Sequence, residues 1–561
     1  MLKLKGLSIR IVLLFAICNL QSVICNPLFA QKILKDTMLH VVKSFQPTIA
    51  DAYKINDMPV VKDSVPPVPQ LNYNINPKKI NTPFTVEPLK PAKMVGEPLT
   101  KLYNSLVKVG MGNYTSPYAE IFFNNLRSKD ISYGAHLNHF SSQSTLDNTK
   151  SSGFSDNDVE LYAKKFMRKQ TLSGDLDYSR NLVHYYGYDT SLLKPKDGDL
   201  IKQRYSKFGG NVALESHYTD SVHMNYLLSL KAYTLTDLYG TAENNISAAA
   251  DVSKYIEKQL FHFPLTIDYY NNKAADTTHS AIIGFSPYVI FSGDKWSTRL
   301  GMGMAMETNE NEKSLFHFYP NIDFNYNVFN NIIIPYAGYT GGLKKNSLQT
   351  LTNENPFLVP GPNIKNTNEV WQVYGGLKGN ISKNISYNAR TSYSQLDDMY
   401  FFVNDNKDPL KKGFNTEYDN TTLWNVHGEM QFQYTEKIKF LAKADYNKYD
   451  MQTEDQPWQK PLWQATLSAN YNLKNKIVVT ADVFMYGKRE AKIVSTDPLI
   501  SVSTTQELKP IVDANLGLEY RYSKKLSGFV HFNNLGFSRY YYWNNYPTYK
   551  FNFLLGVTVV L

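Results

Sequence analysis

The sequence predicts an all-β fold: a single large transmembrane antiparallel β-barrel of about 22 strands, preceded by a Pro-rich extended segment. Three observations support this prediction. Apolar and polar residues alternate over long stretches from residue 102 onward, short and long connections alternate between these stretches, and the chain ends on an uncharged amphipathic strand. The composition agrees, because charged residues make up only 19% of the chain, below the ~25% of a typical soluble protein.

Residues 1–30 have the pattern of a secretory signal peptide. Lys3, Lys5 and Arg10 precede a short apolar run, and Ala30 offers a small residue at a cleavage site. The apolar run is too short to span a membrane. An N-terminal helix of a cytosolic protein is the alternative.

The two cysteines, Cys18 and Cys25, both lie in this leader. A lipoprotein cut before Cys25 would place the bulky Ile24 just ahead of the cut. The exported chain would therefore have no thiol, which excludes disulfides and cysteine-based metal sites or nucleophiles. It would carry 56 basic and 50 acidic residues, a weak excess that does not indicate nucleic-acid binding.

Residues 31–101 hold many prolines and show no sustained period. Proline removes backbone donors and fixes φ, so this segment is predicted to be extended or loosely ordered. It would lie in the periplasm or enter the barrel lumen.

Residues 102–561 are predicted to form the barrel. Segments such as 424–434, 463–471 and 512–522 alternate apolar with polar residues, which is the signature of strands. Eleven residues at ~3.3 Å each, tilted by ~40°, rise roughly 27 Å, close to the ~25 Å apolar band of a membrane barrel. The alternative, a soluble β-sandwich or propeller, would need a second sheet to cover the apolar face.

The connections also alternate. Tight turns are predicted at 434–438, 471–477 and 522–527, as well as near residues 330 and 383. Long polar loops are predicted at 342–368, 398–420, 447–461, 487–508 and 535–548. Short periplasmic turns and long extracellular loops are typical of outer-membrane barrels, which have an even number of strands.

The last strand, FNFLLGVTVVL, is predicted to close the barrel by pairing with the first. Its polar face, with Asn552, Gly556 and Thr558, would line the lumen. Its lipid-facing residues would be Phe551, Phe553, Leu555, Val557, Val559 and Leu561. Just before this strand, an interfacial aromatic girdle is predicted at Tyr541, Tyr542, Trp543 and Tyr546. Stacking of the rings of residues 540–543 on a sugar or peptide is the alternative.

No catalytic, cofactor or metal site is predicted. His136 and His139 would face opposite sides of a strand and cannot share a metal. Asn404, Asn406 and Asp408 match the first positions of a calcium loop, but the following Gly and the bidentate Glu are missing. A solvated loop explains them.

The C-terminal residues resemble the closing hairpin of TonB-dependent receptors. The matching residues are Asn534, Leu535, Tyr541, Tyr542, Trp543, Tyr546, Pro547, Phe553, Gly556 and Val557. The sequence departs from the usual family pattern at Asn545, Tyr549 and Lys550. The resemblance covers residues 102–561 and implies a 22-stranded barrel that works in solute uptake.

The resemblance does not extend to the plug domain that fills the lumen in this family, because residues 31–101 are too few and too Pro-rich. Three features could close the lumen instead: the Pro-rich segment, infolded loops such as 342–368, or a second protein. A TonB-box-like contact is predicted at Asp36, Thr37, Val41 and Val42, which would pair with a partner as an added strand. A tether that starts the mature chain is the alternative.

The sequence therefore predicts an outer-membrane barrel of a Gram-negative bacterium that transports a solute and is not an enzyme. A structural or assembly scaffold of an envelope complex and a gated porin are the alternatives. The expected partners are outer-membrane lipid, a periplasmic energy-coupling or plug-supplying protein, and a surface lipoprotein.

Overall fold

The computed structural model describes residues 102–146, 151–188, 201–274, 276–310, 313–408, 410–494 and 503–561. The predicted signal peptide, Pro-rich segment and TonB-box-like residues lie outside these ranges and stay predictions. Within them the chain is all-β, with one short helix.

The strands are long, as the alternating pattern predicts. In the first third they are β1 Ser105–Gly112, β2 Ser116–Asn124, β3 Ile131–Ser142, β4 Phe154–Phe166, β5 Gln170–His184, β6 Lys202–Ser216, β7 Asn225–Thr236, β8 Ala242–Ile256 and β9 Gln259–Lys273. The middle contains β10 Thr277–Phe285, β11 Tyr288–Ser292, β12 Trp296–Asn309, β13 Leu315–Tyr326, β14 Ile334–Lys344, the helix α1 Leu348–Glu354, β15 Thr367–Ser382, β16 Ile385–Asn404 and β17 Phe414–Tyr434. The last third contains β18 Ile438–Met451, β19 Trp463–Leu473, β20 Ile477–Tyr486, β21 Arg489–Val494, β22 Ser503–Leu508, β23 Ile511–Arg521, β24 Leu526–Asn533, β25 Tyr541–Trp543, β26 Tyr546–Pro547 and β27 Asn552–Val560.

The barrel is a closed antiparallel sheet. Each barrel strand pairs with the next along the chain, and β27 pairs with β1, from Leu106 opposite Val560 to Gly112 opposite Leu554. The short strands β10 and β11 both pair with β9 and β12 in one continuous register. They are two halves of one barrel strand, interrupted at Pro287, which has no N–H to donate to the ladder. The 23 paired segments therefore form 22 barrel strands, and the predicted antiparallel barrel is confirmed.

The two ends of the barrel differ. One end has tight turns, several of which contain residues with positive φ: Asn330, Asn331, Thr435, Lys474 and Asn475. Two successive positive φ angles match the twist of a two-residue hairpin. Both Ser105, where β1 begins, and Leu561 lie at this short-turn end, since the Leu561 backbone N–H donates to the Ser105 carbonyl. The opposite, long-loop end carries the helix and the two small hairpins β21–β22 and β25–β26.

Large apolar side chains cover the outside of the barrel. On β17, Trp424 and Met430 are 42% and 50% exposed, while His427 points inward and its Nδ1 lies 2.8 Å from Asp445 on β18. An apolar outer face and a polar inner face fit a barrel in lipid. Within the described residues, no helix is both long enough and apolar enough to cross a membrane.

The well-packed core lies at the long-loop end and not at mid-barrel. The largest fully buried side chains are Trp458, Tyr185, Tyr546, Phe401, Phe402, Phe414, Ile201, Leu351, Leu358, Ile511 and Gln203. One predicted loop is shorter than expected: β16 continues to Asn404 and β17 begins at Phe414, within the predicted loop 398–420. The reason is that the ends of these two strands fold into this core, where both of their faces are covered.

Candidate functional site: a cap of loops across one end of the barrel

The long-loop end carries a packed layer that we call the cap. We define it as the described residues of segments 345–366, 398–418, 452–463, 487–511 and 534–551, which leaves out residue 409 and residues 495–502. Its apolar side chains are enclosed: Leu351, Leu358, Phe402 and Phe414 have no exposed surface, and Trp458 is 1% exposed. Loops usually run over the surface with polar side chains. These loops therefore form a small folded layer of their own.

Segment 345–366 begins on one side of the barrel. Lys345 forms an ion pair with Asp268 on β9. Leu348, 3% exposed, belongs to a buried cluster with Tyr205 on β6 and Tyr233 on β7. The first turn of the segment's helix α1 is thus fixed against β6, β7 and β9.

The last residues of the same segment contact β17, and its middle reaches a more distant strand. The Asn363 carbonyl accepts a hydrogen bond from the Thr416 hydroxyl on β17, and the Lys365 backbone N–H donates to the Tyr418 hydroxyl over 2.9 Å. In the middle of the segment, the Leu358 carbonyl accepts a hydrogen bond from Tyr185, which follows β5. Seven barrel strands, from β6 to β13, separate β5 from β14, the strand at which the segment begins. Segment 345–366 therefore crosses the mouth of the barrel.

Helix α1 is held at its N-terminus by a buried carboxylate. Glu243 on β8 has no exposed surface, and its two oxygens accept hydrogen bonds from the Leu348 N–H over 2.6 Å and the Gln349 N–H over 3.2 Å. Tyr233 donates a third hydrogen bond over 2.8 Å. The first N–H groups of a helix have no partner within it, and the helix dipole favours negative charge there. Glu243 meets both requirements and ties the helix to the barrel wall.

The other end of α1 is tied to two different loops. Tyr400 donates a hydrogen bond to Glu354 over 2.5 Å, and Lys460 approaches the other Glu354 oxygen to 2.6 Å. The Lys460 ammonium also lies 4.7 Å from the centroid of the Tyr400 ring. Glu354 therefore links segment 345–366 to segments 398–418 and 452–463.

Aromatic rings fill the centre of the cap. The ring of Tyr546 lies 3.9 Å from that of Phe357 and 4.8 Å from that of Tyr186, measured between centroids. Its hydroxyl donates to the Lys412 carbonyl. Burial raises the pKa of the Tyr546 hydroxyl far above its usual value. Tyr546 is a central packing residue of the cap.

The structure corrects the predicted girdle, because three of its four residues pack into the cap. A girdle side chain has to reach the membrane interface on the outer surface, whereas Tyr546 is 1% exposed and surrounded by loop residues. Trp543 packs inward as well, with its ring 5.2 Å from that of Phe402. Tyr542 packs beside the buried cluster of Phe484 and Ile511, and Tyr541 alone of the four is largely exposed, at 47%.

The hairpin β21–β22 joins the cap through a buried arginine. Arg489 is 3% exposed and donates hydrogen bonds to the carbonyls of Tyr541 and Tyr542. Burial lowers the pKa of this guanidinium to about 10. It remains charged at neutral pH and holds segments 487–511 and 534–551 together.

Lys492 on the same hairpin bridges two further segments. Its ammonium lies 2.6 Å from a Glu417 oxygen and 2.8 Å from a Glu454 oxygen. Burial alone would raise the pKa of Glu454, but hydrogen bonds from Lys492 and from the Trp458 indole outweigh it and hold this pKa below its usual value. All five segments of the cap are therefore connected by hydrogen bonds or ion pairs.

The predicted closing strand is β27. Phe553, Leu555, Val557 and Leu561 are between 39% and 61% exposed, and Thr558 on the other face is 6% exposed. Gly556 faces inward beneath Phe529: a Cβ there would lie 2.4 Å from the Phe529 ring. Contact of the exposed residues with lipid stays a prediction, as does that of Phe551 and Val559, which are partly buried.

Other expectations concern ligands. In the described part of the chain, no group of three His, Cys, Asp or Glu side chains is arranged to hold a metal ion. His136 points inward to Glu120, at 3.2 Å, and His139 bonds to Asn157 at 2.7 Å. Asp36, Thr37, Val41 and Val42 lie outside the described residues.

Sequence reasoning missed the residues that fix the cap, above all Glu243, Tyr185 and Arg489. Tyr185 follows β5 and donates to the carbonyl of Leu358, 173 residues away. The only signal available was the infolding expected for a loop at 342–368. No local pattern indicates which strand such a loop will reach.

No protein-family model matches this sequence, and no curated protein matches it. Solved structures do match. The FrpB iron transporter from Neisseria meningitidis superposes with a TM-score of 0.64 at 9% identity, over 82% of this chain and 82% of that one. The ferric-catecholate import receptor Fiu from E. coli K12 gives 0.61 at 9% identity, again over 82% of each chain.

A third match is the ferric enterobactin receptor PfeA from Pseudomonas aeruginosa, in a mutant form. Its TM-score is 0.59 at 12% identity, over 82% of this chain and 80% of that one. These proteins are TonB-dependent receptors, and the chain has the barrel fold of these receptors. At such low identity the likeness concerns the fold alone.

Proposed function

We propose that the protein is an outer-membrane barrel that carries a solute across the outer membrane, and that the cap is its extracellular gate. The observation that supports this most is segment 345–366, which crosses the mouth of a 22-stranded barrel. Barrels of this size have a lumen wide enough that it has to be plugged. In this chain the cap does part of what a plug domain would do.

The solved structures support the transport class. FrpB is named as an iron transporter, Fiu as an import receptor and PfeA as a ferric enterobactin receptor. Uptake through a barrel of the same fold is the function these names favour. The short-turn end would then face the periplasm, where an energy-coupling or plug-supplying protein would act, and the cap would face outward, where a surface lipoprotein could dock.

The packing of the cap also favours a second function. Its buried rings and ion pairs connect five segments, and such a layer suits a rigid outer surface as well as a gate. A barrel that scaffolds other envelope proteins and transports nothing would need only this rigid surface. The two functions differ in whether the lumen conducts once the cap is removed.

Conductance in planar bilayers tests the proposal. The mature chain should conduct weakly, and a variant with residues 346–365 replaced by a short Gly-Ser linker should conduct strongly. The matched control replaces residues 126–129, in a turn at the opposite end, and should behave as wild type. Heat-modifiable gel mobility of each variant would show that the barrel has folded.

The outcome separates the candidates. Strong conductance of the wild-type chain would indicate an open porin. If the linker variant stays silent, residues 31–100 are removed in addition. If the variant with both changes shows no conductance, the proposed transport function is wrong and the scaffold function remains.

A further inference from the structure

Two neighbouring strands carry basic side chains on the outer face of the barrel at its long-loop end. On β6, Gln203 and Tyr205 point inward, where they are 0% and 7% exposed. Side chains alternate between the faces of a strand, so Lys202 and Arg204 point outward. Arg180 on β5 pairs with Ser206. Ser206 lies two residues from Arg204 on β6, so Arg180 and Arg204 share the outer face and are diagonal neighbours. Such diagonal neighbours lie ~7–8 Å apart, within reach of one ligand.

These basic residues lie where the apolar outer face ends. Further along the same face of β5 and β6, the residues Leu176, Tyr178, Phe208 and Val212 are between 41% and 56% exposed. Further toward the long-loop end, the same face carries Lys202 and His184 as well as Leu182, which lies opposite Arg204. Basic side chains next to an apolar band fit the level of lipid headgroups.

The surroundings of the two arginines contain no acid on the outer face of the adjoining described strands. Arg180 pairs with Asn157 on β4, and Ser206 pairs with Thr236 on β7. Within the described strands, no carboxylate on the outer face faces the two guanidinium groups, so an anion from elsewhere can bind them.

A second outward lysine at the long-loop end offers a contrast. Lys448 on β18 pairs with Trp424, which is exposed on the outer face. Asp450 follows two residues later on the same face of the strand. The charge of Lys448 is therefore offset locally, whereas that of the two arginines is not.

We propose that Arg180 and Arg204 bind the phosphate group of a lipid in the outer leaflet. Two guanidinium groups can hold one phosphate through paired N–H···O bonds, and the adjacent apolar face would pack the acyl chains. The proposal rests on the proposed outer-membrane location, with the long-loop end outward.

Native mass spectrometry of the detergent-purified mature protein tests this with lipid A as the probe. Wild type should bind bisphosphorylated lipid A at least tenfold more tightly than dephosphorylated lipid A, since hydrogen bonds to charged groups are worth about a factor of ten or more. The variant R180Q/R204Q should lose this preference. The matched control K448Q should keep it.

Three results would overturn the proposal: equal binding of the two lipids by wild type, an unchanged preference in R180Q/R204Q, or the same loss in K448Q. Displacement of lipid A by inorganic phosphate alone would also overturn it, because free phosphate would then be the ligand. Heat-modifiable mobility of R180Q/R204Q controls for folding. Conductance of the linker variant, described above, reports on transport independently of lipid binding.

Discussion

Glu243 on the barrel wall accepts a 2.6 Å hydrogen bond from the backbone N–H of Leu348, 105 residues further along the chain. This contact joins a strand of the barrel to the first turn of the one helix in the described residues. A buried carboxylate is costly unless its hydrogen bonds are satisfied, and here three donors satisfy it. The contact therefore fixes the position of the segment that crosses the mouth.

Replacing Glu243 with Ala should loosen the cap. The change leaves the Leu348 N–H buried without a partner, at a cost of ~1–3 kcal/mol. We expect faster amide hydrogen exchange in residues 348–358 and more frequent channel openings in planar bilayers. The control is D251N: Asp251 lies on the same face of β8 but is paired with His262 at 3.2 Å, away from the cap. If E243A and D251N have equal effects, the hydrogen bond between Glu243 and Leu348 does not fix the position of segment 345–366.

A disulfide should lock the segment across the mouth. Leu358 and Phe414 form a parallel β-bridge, with the Val359 N–H donating to the Phe414 carbonyl over 2.9 Å. Bridged residues have Cα atoms close enough for a disulfide. Both native cysteines precede residue 31, so they would not compete in a chain from which the predicted signal peptide has been removed. The variant L358C/F414C should transport solute only when reduced. Each single cysteine variant serves as a control, and uptake by the oxidised double variant would exclude gating by this segment.

Replacing Tyr546 with Ala should disrupt the centre of the cap. Removing a fully buried aromatic ring costs ~3–5 kcal/mol, and this ring contacts Phe357 and Tyr186. Limited proteolysis should then cut within segments 345–366 and 534–551, while heat-modifiable mobility shows an intact barrel. Tyr541→Ala, at the exposed residue nearby, should leave proteolysis unchanged. If the Tyr546→Ala variant resists proteolysis as wild type does, the ring does not hold the cap together, and its assignment to the membrane interface would stand.

Much of the barrel can be predicted from the sequence because lipid outside and water inside impose a period of two on every strand. The cap cannot be predicted in this way. Its contacts join residues such as Tyr185 and Leu358, and local pattern contains no information about which distant strand a loop will reach. The sequence predicts a long polar loop over 398–420, where β16 and β17 in fact continue. Phe401, Phe402 and Val403 are apolar in succession, so this stretch lacks the alternation of a strand with one face in lipid. In the structure both faces of this stretch are covered by the cap.

The cap should loosen in acid through Glu454. The pKa of this carboxyl is lower in the folded cap than in the unfolded chain, so its stabilising effect is present above the unfolded pKa of about 4.3. This effect is lost as the pH falls through the folded value. Fluorescence of Trp458, whose indole donates to Glu454 over 2.6 Å, should change in this range. In E454Q this pH-dependent change should disappear, and its persistence would assign the titration to another group.

Deleting residues 36–42 tests the TonB-box-like contact of Asp36, Thr37, Val41 and Val42. If this segment pairs with an energy-coupling protein as an added strand, its deletion should abolish uptake and leave the barrel folded. A control variant replaces residues 36–42 by Gly and Ser and so keeps the length of the segment. If this variant also loses uptake, the loss is due to the missing pairing residues and not to a shorter segment. The conductance of the linker variant without residues 346–365 should not depend on this contact, since diffusion through an open lumen needs no coupling. Unchanged uptake after the deletion would remove energy coupling at this site and would favour passive passage through the gate.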